Sequence, residues 1–181
     1  VTNYTYAPNG ALTVSDTKVT VSYTEGGVTK TAETAITVSA KALTSIEITT
    51  APTKTSYVEG ESFDKTGMVV TAKYNNGTSA VVTNYTYAPN GALTVSDTKV
   101  TVSYTEGGVT KTAETAITVS AKALTSIEIT TAPANMSYVE GESFDKTGMV
   151  VTAKYNNGTS AVVSGYTYAP NGALTTSDTK V

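Results

Sequence analysis

The chain repeats its own sequence at an offset of 81 residues, and this repetition limits the possible folds more than any other feature. Residues 1–100 align with residues 82–181, and six of these 100 pairs differ. The differing pairs are Thr53/Ala134, Lys54/Asn135, Thr55/Met136, Thr83/Ser164, Asn84/Gly165 and Val95/Thr176. Because nearly identical segments fold alike, the chain is predicted to be part of a tandem array. We expect one complete repeat, residues 42–122, between the C-terminal part of one repeat (1–41) and the N-terminal part of a third (123–181).

The composition of the repeat is that of β-strands. Threonine provides 38 of the 181 residues, and there are 12 tyrosines. β-Branched and aromatic side chains suit the pleated, half-buried surface of a sheet. With 39% hydrophobic and 15% charged residues, the chain has the composition of a globular protein and not that of a disordered linker. A unit of 81 residues is also long enough to fold by itself, although with modest stability.

Several functional classes are excluded by missing residue types. The net charge is −3 and every cation is a lysine, so no arginine-rich surface is expected to hold nucleic acid or an anionic membrane. The chain has no cysteine and no histidine, which removes disulfides, thiolate zinc sites and the usual catalytic base. No apolar run approaches the roughly 20 residues that span a bilayer, so this segment is not expected to insert into a membrane. Because the chain starts at Val1 without a leader, we expect it to be cut from a longer precursor.

Local patterns in the complete repeat predict short antiparallel strands. Leu43, Ile46 and Ile48 anchor a first strand over residues 43–50. Residues 68–74 alternate apolar and polar side chains before Asn75-Asn76-Gly77, which we expect to supply the left-handed backbone angles of a tight hairpin. The runs 99–104 and 109–119 flank a Gly-Gly turn and predict a second hairpin, with the whole of residues 109–119 running back as one strand.

The predicted fold class is all-β, with tandem immunoglobulin-like antiparallel sandwiches. About seven short strands per repeat, turn signals about every 8–12 residues and no helical periodicity favour this sandwich with Greek-key connections. The chain lacks the disulfide and the buried tryptophan of antibody domains, so we expect an aliphatic and tyrosine core into which Phe63 and Leu93 insert.

The connection between repeats is short. Only residues 120–123, Ser-Ala-Lys-Ala, separate the last anchor of one repeat from the first anchor of the next. A joint of this length without glycine is expected to hold neighbouring repeats close and to limit bending. With strands rising about 3.3 Å per residue, we expect each repeat to add roughly 40 Å to the array.

At this level of detail the repeat resembles a known family, the bacterial immunoglobulin-like domain, group 3. The resemblance covers the full 81-residue unit. The residues that carry it are Tyr57, Gly60, Phe63, Gly67, Tyr74, Gly77, Leu93, residues 100–104 and Glu106. It implies a β-sandwich used as a stalk or spacer in surface-exposed and secreted bacterial proteins, beside catalytic, sugar-binding or adhesive domains. It implies no catalytic residue.

Two groups of side chains are candidates for a site. Glu59, Glu61 and Asp64 form the densest acidic cluster and are either calcium ligands at a joint or, in the interpretation we favour, a solvated loop. Tyr57, Tyr85 and Tyr87 are either a platform for stacking on sugars or, as we favour, part of the core and its rim. We therefore predict no catalytic, metal-binding or cofactor-binding residue and no enzyme activity in this segment.

Two functional hypotheses follow. The first is a non-enzymatic stalk of a bacterial cell-surface or secreted protein, which projects a distal functional domain. The alternative is an assembly or adhesion module that forms an extracellular filament by head-to-tail or strand-exchange contacts, or that binds a host or glycan ligand. An accessory role beside a glycosidase would be visible only in sequence outside this segment. Expected partners are the neighbouring identical repeats and, in the assembly alternative, other copies of the chain, with no nucleic acid.

Overall fold

The structure, a computed structural model, describes residues 2–181, and all regular secondary structure in this range is β-strand. Its strands are β1 (Tyr4–Ala7), β2 (Lys18–Glu25), β3 (Val28–Ala35), β4 (Leu43–Thr50), β5 (Ser56–Val58), β6 (Val69–Tyr74), β7 (Ser79–Val82), β8 (Thr86–Ala88), β9 (Lys99–Glu106), β10 (Val109–Ala116), β11 (Thr118–Ser120), β12 (Leu124–Thr131), β13 (Val150–Tyr155) and β14 (Ser160–Val163). Residues 2–181 contain no helix with the length and apolarity needed to cross a membrane. Val1, which belongs to the predicted partial repeat 1–41, lies outside the described residues. The division at residues 41/42 and 122/123 stays a prediction.

The complete repeat is built from two antiparallel three-stranded sheets. One sheet has the order β4–β6–β7 and the other the order β8–β9–β10, and a short parallel pair joins β5 to β11. The expected all-β class and immunoglobulin-like sandwich are confirmed. The same strands recur in the flanking segments, where β1–β2–β3 correspond to β8–β9–β10 and β12–β13–β14 correspond to β4–β6–β7.

The last predicted strand is wrong in one respect, because residues 109–119 form two strands. β10 pairs with β9 as far as Ala116, and β11 then pairs in parallel with β5. Between them the side chain of Ile117 is buried in the core. The backbone N–H of Ile117 donates to the carbonyl of Thr98 at 3.0 Å, and the N–H of Thr118 donates to the carbonyl of Thr55 at 2.9 Å. The chain therefore changes sheets at this residue with its backbone bonds satisfied.

The turn after β6 also differs from the prediction. Of the three residues of this turn, only Gly77 has a positive φ, of 79°. Every residue with a positive φ in residues 2–181 is a glycine. Asn75 and Asn76 keep ordinary backbone angles, as in the three-residue hairpin loop that ends with a left-handed glycine. Oδ1 of Asn76 accepts hydrogen bonds from the N–H and the hydroxyl of Thr78 at 3.1 and 2.7 Å, which closes the turn. The side chain of Asn75 is left to bond elsewhere.

The core lies between the two sheets and matches the predicted pattern. The inner side chains of β6 and β9 that alternate with polar residues are buried, and Leu93 is 1% exposed. The most deeply buried members of the core are Val70, Ala72, Leu93, Val100 and Val102. Phe63 packs edge-on against Tyr87, with ring centroids 5.3 Å apart. The core thus has aliphatic side chains in its middle and buried tyrosine and phenylalanine rings beside them, in agreement with the predicted aliphatic and tyrosine core.

A polar cluster of three residues ties the two sheets together at one end of the core. The hydroxyls of Tyr74 on β6 and Tyr104 on β9 donate to the same oxygen of Glu106, at 2.7 and 3.0 Å. These two hydrogen bonds lower the pKa of Glu106 below 4.5, because they stabilise the carboxylate. The hydrogen bond to Glu106 raises the pKa of Tyr74 to about 12, since ionisation would remove the donor.

We predict that Leu93→Ala destabilises the complete repeat by about 2–5 kcal/mol, because it opens a cavity in the centre of the core. Leu12, the same residue in the flanking partial repeat, is 50% exposed and provides the matched control. Leu12→Ala is expected to change the free energy of unfolding much less. Urea unfolding followed by circular dichroism measures both effects, and equal losses from the two variants would contradict the assignment of the core.

We predict that Glu106→Gln lowers stability at neutral pH and that its effect shrinks in acid. The pKa of Glu106 is depressed in the folded state, so its contribution is present above the ordinary value of 4.5 and is lost as the pH falls through the folded pKa. The difference in the free energy of unfolding between wild type and Glu106→Gln should therefore decrease between pH 5 and pH 3, values chosen to bracket that range. Glu25→Gln, at the equivalent exposed position, serves as the control. A difference that stays constant with pH would contradict the role given to the carboxylate.

Candidate functional site

The acidic residues of the loop after β5 act separately in the structure. The carboxylate of Glu61 accepts hydrogen bonds from Nζ of Lys54 at 2.9 Å and from the N–H of Val58 at 2.8 Å. The bond from Lys54 is the main reason that the pKa of Glu61 is lowered. Asp64 accepts from the hydroxyl and the N–H of Thr66 at 2.6 and 2.9 Å, which lowers its pKa as well.

These carboxylates therefore shape their own loop. Within residues 2–181 no three acidic side chains come together in a group that could hold a metal ion. The third acidic residue of the cluster, Glu59, points instead toward the connection with the next repeat, where its Oε2 lies 3.5 Å from the N–H of Lys122.

The tyrosines that sequence reasoning considered as a sugar platform belong to the core and its edge. Tyr57 is buried, its hydroxyl donates to the carbonyl of Lys54 at 2.8 Å, and its ring centroid lies 6.2 Å from that of Phe63. Tyr85 and Tyr87 are half-buried and pack against the same cluster. The three rings support the sandwich, in agreement with the interpretation favoured from the sequence.

A network of hydrogen bonds surrounds the linker between the second and third repeats, residues 120–123. On the preceding side, the N–H of Glu59 donates to the carbonyl of Ser120 at 2.8 Å. The hydroxyl of Ser120 donates to the carbonyl of Tyr57 at 3.2 Å. The first residue of the linker is therefore fixed to the loop that follows β5 in the complete repeat.

On the following side, one asparagine holds the linker at two points. Nδ2 of Asn156 donates to the carbonyl of Ala121 at 3.2 Å, and its Oδ1 accepts from the N–H of Ala123 at 2.8 Å. Its own N–H donates to the carbonyl of Ala123 at 3.0 Å. Asn156 thus satisfies backbone groups on both sides of Lys122, and the path of the chain into β12 is fixed.

Lys122 adds a third contact to this arrangement. Its ammonium group lies 4.1 Å from the centre of the Tyr155 ring, within the range of a cation–π interaction. Tyr155 precedes Asn156 at the end of β13, so a single turn presents both the ring and the amide to the linker. We refer to residues 120–123 with these contacts as the joint.

The preceding linker, residues 39–42, makes the same contacts with the repeat that follows it. Nδ2 of Asn75 donates to the carbonyl of Ala40 and its Oδ1 accepts from the N–H of Ala42, both at 2.9 Å. The ammonium group of Lys41 lies 3.7 Å from the centre of the Tyr74 ring. Since the repeat that follows each linker holds it in the same way, these bonds are a property of the repeat.

Sequence reasoning identified the short linker but missed the side chains that hold it. The sequence pattern indicates Asn75 only as a turn residue, and Asn156 is the same residue one repeat later. A signal was available, because a hairpin that needs one left-handed glycine does not need two asparagines before it. What the sequence could not supply was the position of the linker relative to that turn.

Comparisons with known proteins support the fold. The family model of the bacterial Ig-like domain (group 3) matches residues 50–122, which contain all the strands of the complete repeat after β4. Pectate lyase L of Thermoclostridium stercorarium is 32% identical over 125 residues, a match that covers 68% of this chain and 10% of that protein. The chain therefore spans only a small part of the length of this relative.

The group 3 Ig-like domain is a non-catalytic module that occurs in extracellular and surface proteins of bacteria. The all-β sandwich of the complete repeat agrees with this match, and the resemblance predicted from the residues of the repeat is confirmed. Residues 50–122 of this chain are thus similar in sequence to the bacterial Ig-like domain, group 3, and they lie in a repeat with an immunoglobulin-like sandwich fold.

Proposed function

We propose that this chain is a segment of a non-enzymatic stalk in a bacterial cell-surface or secreted protein, where it holds a distal domain away from its anchor. The observation that carries the proposal is that the joint is hydrogen-bonded to the repeats on both of its sides. A flexible tether leaves the backbone groups of its linker to water, whereas here the linker is bonded to the repeats on both of its sides. A connection of this kind transmits orientation from one repeat to the next.

Two further observations support a spacer. The complete repeat has an apolar core of its own, and its acidic loop and its tyrosines serve the fold itself. The match covers only 10% of pectate lyase L, so most of that protein lies outside the matching segment and can form other domains. A stalk needs a stable repeat and a joint that resists bending. The apolar core of the complete repeat supports the first requirement, and the hydrogen bonds to residues 120–123 support the second.

We predict that insertion of Gly-Ser-Gly-Ser after Lys122 makes the chain measurably more flexible without changing the stability of the complete repeat. The insertion separates Ala121 from Ala123, so Asn156 can no longer hold both, and the two sides of the joint become independent. Small-angle X-ray scattering measures the change as a broader distribution of maximum dimensions. Wild-type scattering as broad as that of the variant would overturn the stalk proposal.

A second candidate function, assembly by strand exchange, is favoured by one specific observation. The inner face of the sheet β12–β13–β14 is only partly covered. Val151 and Ala153 of β13 are buried, but Ile127 of β12 is 59% exposed whereas the equivalent Ile46 of the complete repeat is 6% exposed. A cleft lined by Ile129, Phe144 and Met149 opens on this face. In the complete repeat the second sheet and β11 cover the corresponding side chains.

The strands that fit this face are present elsewhere in the chain. Residues 18–39 have the same sequence as residues 99–120, which form β9, β10 and β11 in the complete repeat. In the sheet β1–β2–β3, Tyr4 and Tyr6 are exposed, and Val21 is half-buried where the equivalent Val102 is fully buried. A second copy of the chain therefore contains a segment that can complete the open sandwich. A following stretch of the same protein with this sequence would compete for the same face.

Strand exchange predicts that the mass of the 181-residue chain grows with concentration in steps of one chain. Val21→Lys should abolish this growth, because the equivalent Val102 is fully buried and a lysine at that position would carry its charge into the core. Ser22→Lys, on the outer side of the same strand, is the matched control and should still associate. Light scattering over a hundredfold range of concentration makes the measurement. A constant monomer mass for wild type would exclude strand exchange and leave the stalk proposal intact.

A further inference from the structure

The turn after β13 makes a direct contact with the preceding repeat that is separate from the linker bonds. Nδ2 of Asn157 donates a hydrogen bond to the backbone carbonyl of Glu59 at 2.9 Å. The two residues are 98 positions apart in the sequence and belong to different repeats. Asn156 is hydrogen-bonded to the linker, whereas the neighbouring Asn157 is hydrogen-bonded to a loop of the complete repeat.

The equivalent turn after β6 shows what this contact changes. Asn76 and Asn157 both use Oδ1 to close their own turns, through bonds to Thr78 and to Thr159. Asn157 is half-buried, whereas Asn76 is exposed. The side-chain oxygen therefore serves the turn in both repeats, and the side-chain N–H of Asn157 has a partner in the preceding repeat.

The receiving surface is the Glu59-Gly60 turn of the complete repeat. Gly60 has a φ of +91°, and a Cβ atom built on it would lie 3.1 Å from Nδ2 of Asn157. The equivalent Gly141 has a similar φ of +95°, and a Cβ atom there would meet nothing within 4 Å. Glu59 is half-buried, whereas the equivalent Glu140 is exposed. Glycine at position 60 thus allows the left-handed turn and also leaves room for the asparagine.

We infer that the Asn-Asn-Gly turn of each repeat is a docking surface for the Glu-Gly turn of the repeat before it, and that this contact sets the angle between successive repeats. The partner is another copy of the same repeat, recognised through a side-chain amide that donates to a backbone carbonyl. Because this bond joins two neutral groups, it should persist at high salt, unlike a joint held by ion pairs. The inference rests on the proposed function, since a fixed angle has a purpose only in an array that transmits orientation.

Asn157→Asp tests this contact with the least disturbance. The aspartate keeps an oxygen for the bonds to Thr159, removes the N–H donor and places a negative charge against the carbonyl of Glu59. Asn76→Asp makes the same change in the exposed turn and is the matched control. Loss of one hydrogen bond is expected to shift the ratio of docked to undocked joints by about fivefold or more toward the undocked state.

The readout is a distance distribution between two spin labels. The chain has no cysteine, so cysteines introduced at Thr112 of β10 and at Val162 of β14 label one site on each repeat. Both residues are exposed, and Val162 is 71% exposed. Pulsed electron paramagnetic resonance should give one narrow distribution for wild type and for Asn76→Asp, and a broad or displaced distribution for Asn157→Asp. The same result should hold at high salt.

A second pair of variants tests the receiving surface. Gly60→Ala and Gly141→Ala carry the same backbone strain, but only the first places a methyl group against Asn157. Gly60→Ala should broaden the distance distribution, and Gly141→Ala should leave it narrow. Repeating both pairs in a chain lengthened at its C-terminus by the sequence of residues 101–122 makes the test independent of the partial third repeat.

The outcomes separate the inference from the function on which it rests. A narrow wild-type distribution that stays equally narrow in Asn157→Asp and in Gly60→Ala overturns the docking surface and leaves the stalk standing. A broad wild-type distribution overturns the stalk and the docking surface together. A narrow wild-type distribution that broadens only in these two variants supports the assignment.

Discussion

The structure depends on one requirement, that each three-stranded sheet covers its apolar face with the other sheet. Leu93 is 1% exposed in the complete repeat, and the same leucine at position 12 is 50% exposed where the opposite sheet is missing. The two residues have identical neighbours in sequence from position 1 to position 13 and from position 82 to position 94. Leu174, the third copy, is 8% exposed in the segment that contains β12–β13–β14, the counterpart of β4–β6–β7. Burial of this leucine is therefore decided by the presence of that sheet and not by its local sequence.

Satisfaction of backbone hydrogen bonds extends this requirement from the repeat to the array. A four-residue linker cannot form a ladder of its own, so its polar groups need partners in the repeats beside it. Ser120 finds them in the loop after β5, and Ala121 and Ala123 find them in Asn156. The short linker is thus part of the folded structure, and its hydrogen bonds fix the direction in which the chain enters the next repeat.

The sequence predicts the parts of this structure that depend on local pattern. Alternation in β6 and β9 placed their inner side chains correctly in the core, and Leu93 and Phe63 were correctly predicted to be buried. The change of sheet at Ile117 was missed, because an unbroken run of strand-forming residues does not show where its hydrogen-bond partner changes. The role of Asn156 was missed for a similar reason. Its partners lie 33 and 35 residues away, and only the paired strands bring them together.

The near-identity of the repeats gives the joint a property that no single repeat shows. The residues that form it are unchanged between copies, since the six differing pairs do not include Glu59, Gly60 or either asparagine of the turn. Three of those differences, at positions 53–55, fall in the loop before β5, which no joint contact uses. Each repeat consequently carries the receiving turn for the next repeat and the docking turn for the previous one. When a whole repeat is added or removed, every remaining joint still has a receiving turn and a docking turn. The length of such an array can therefore change while the angle at each joint is preserved.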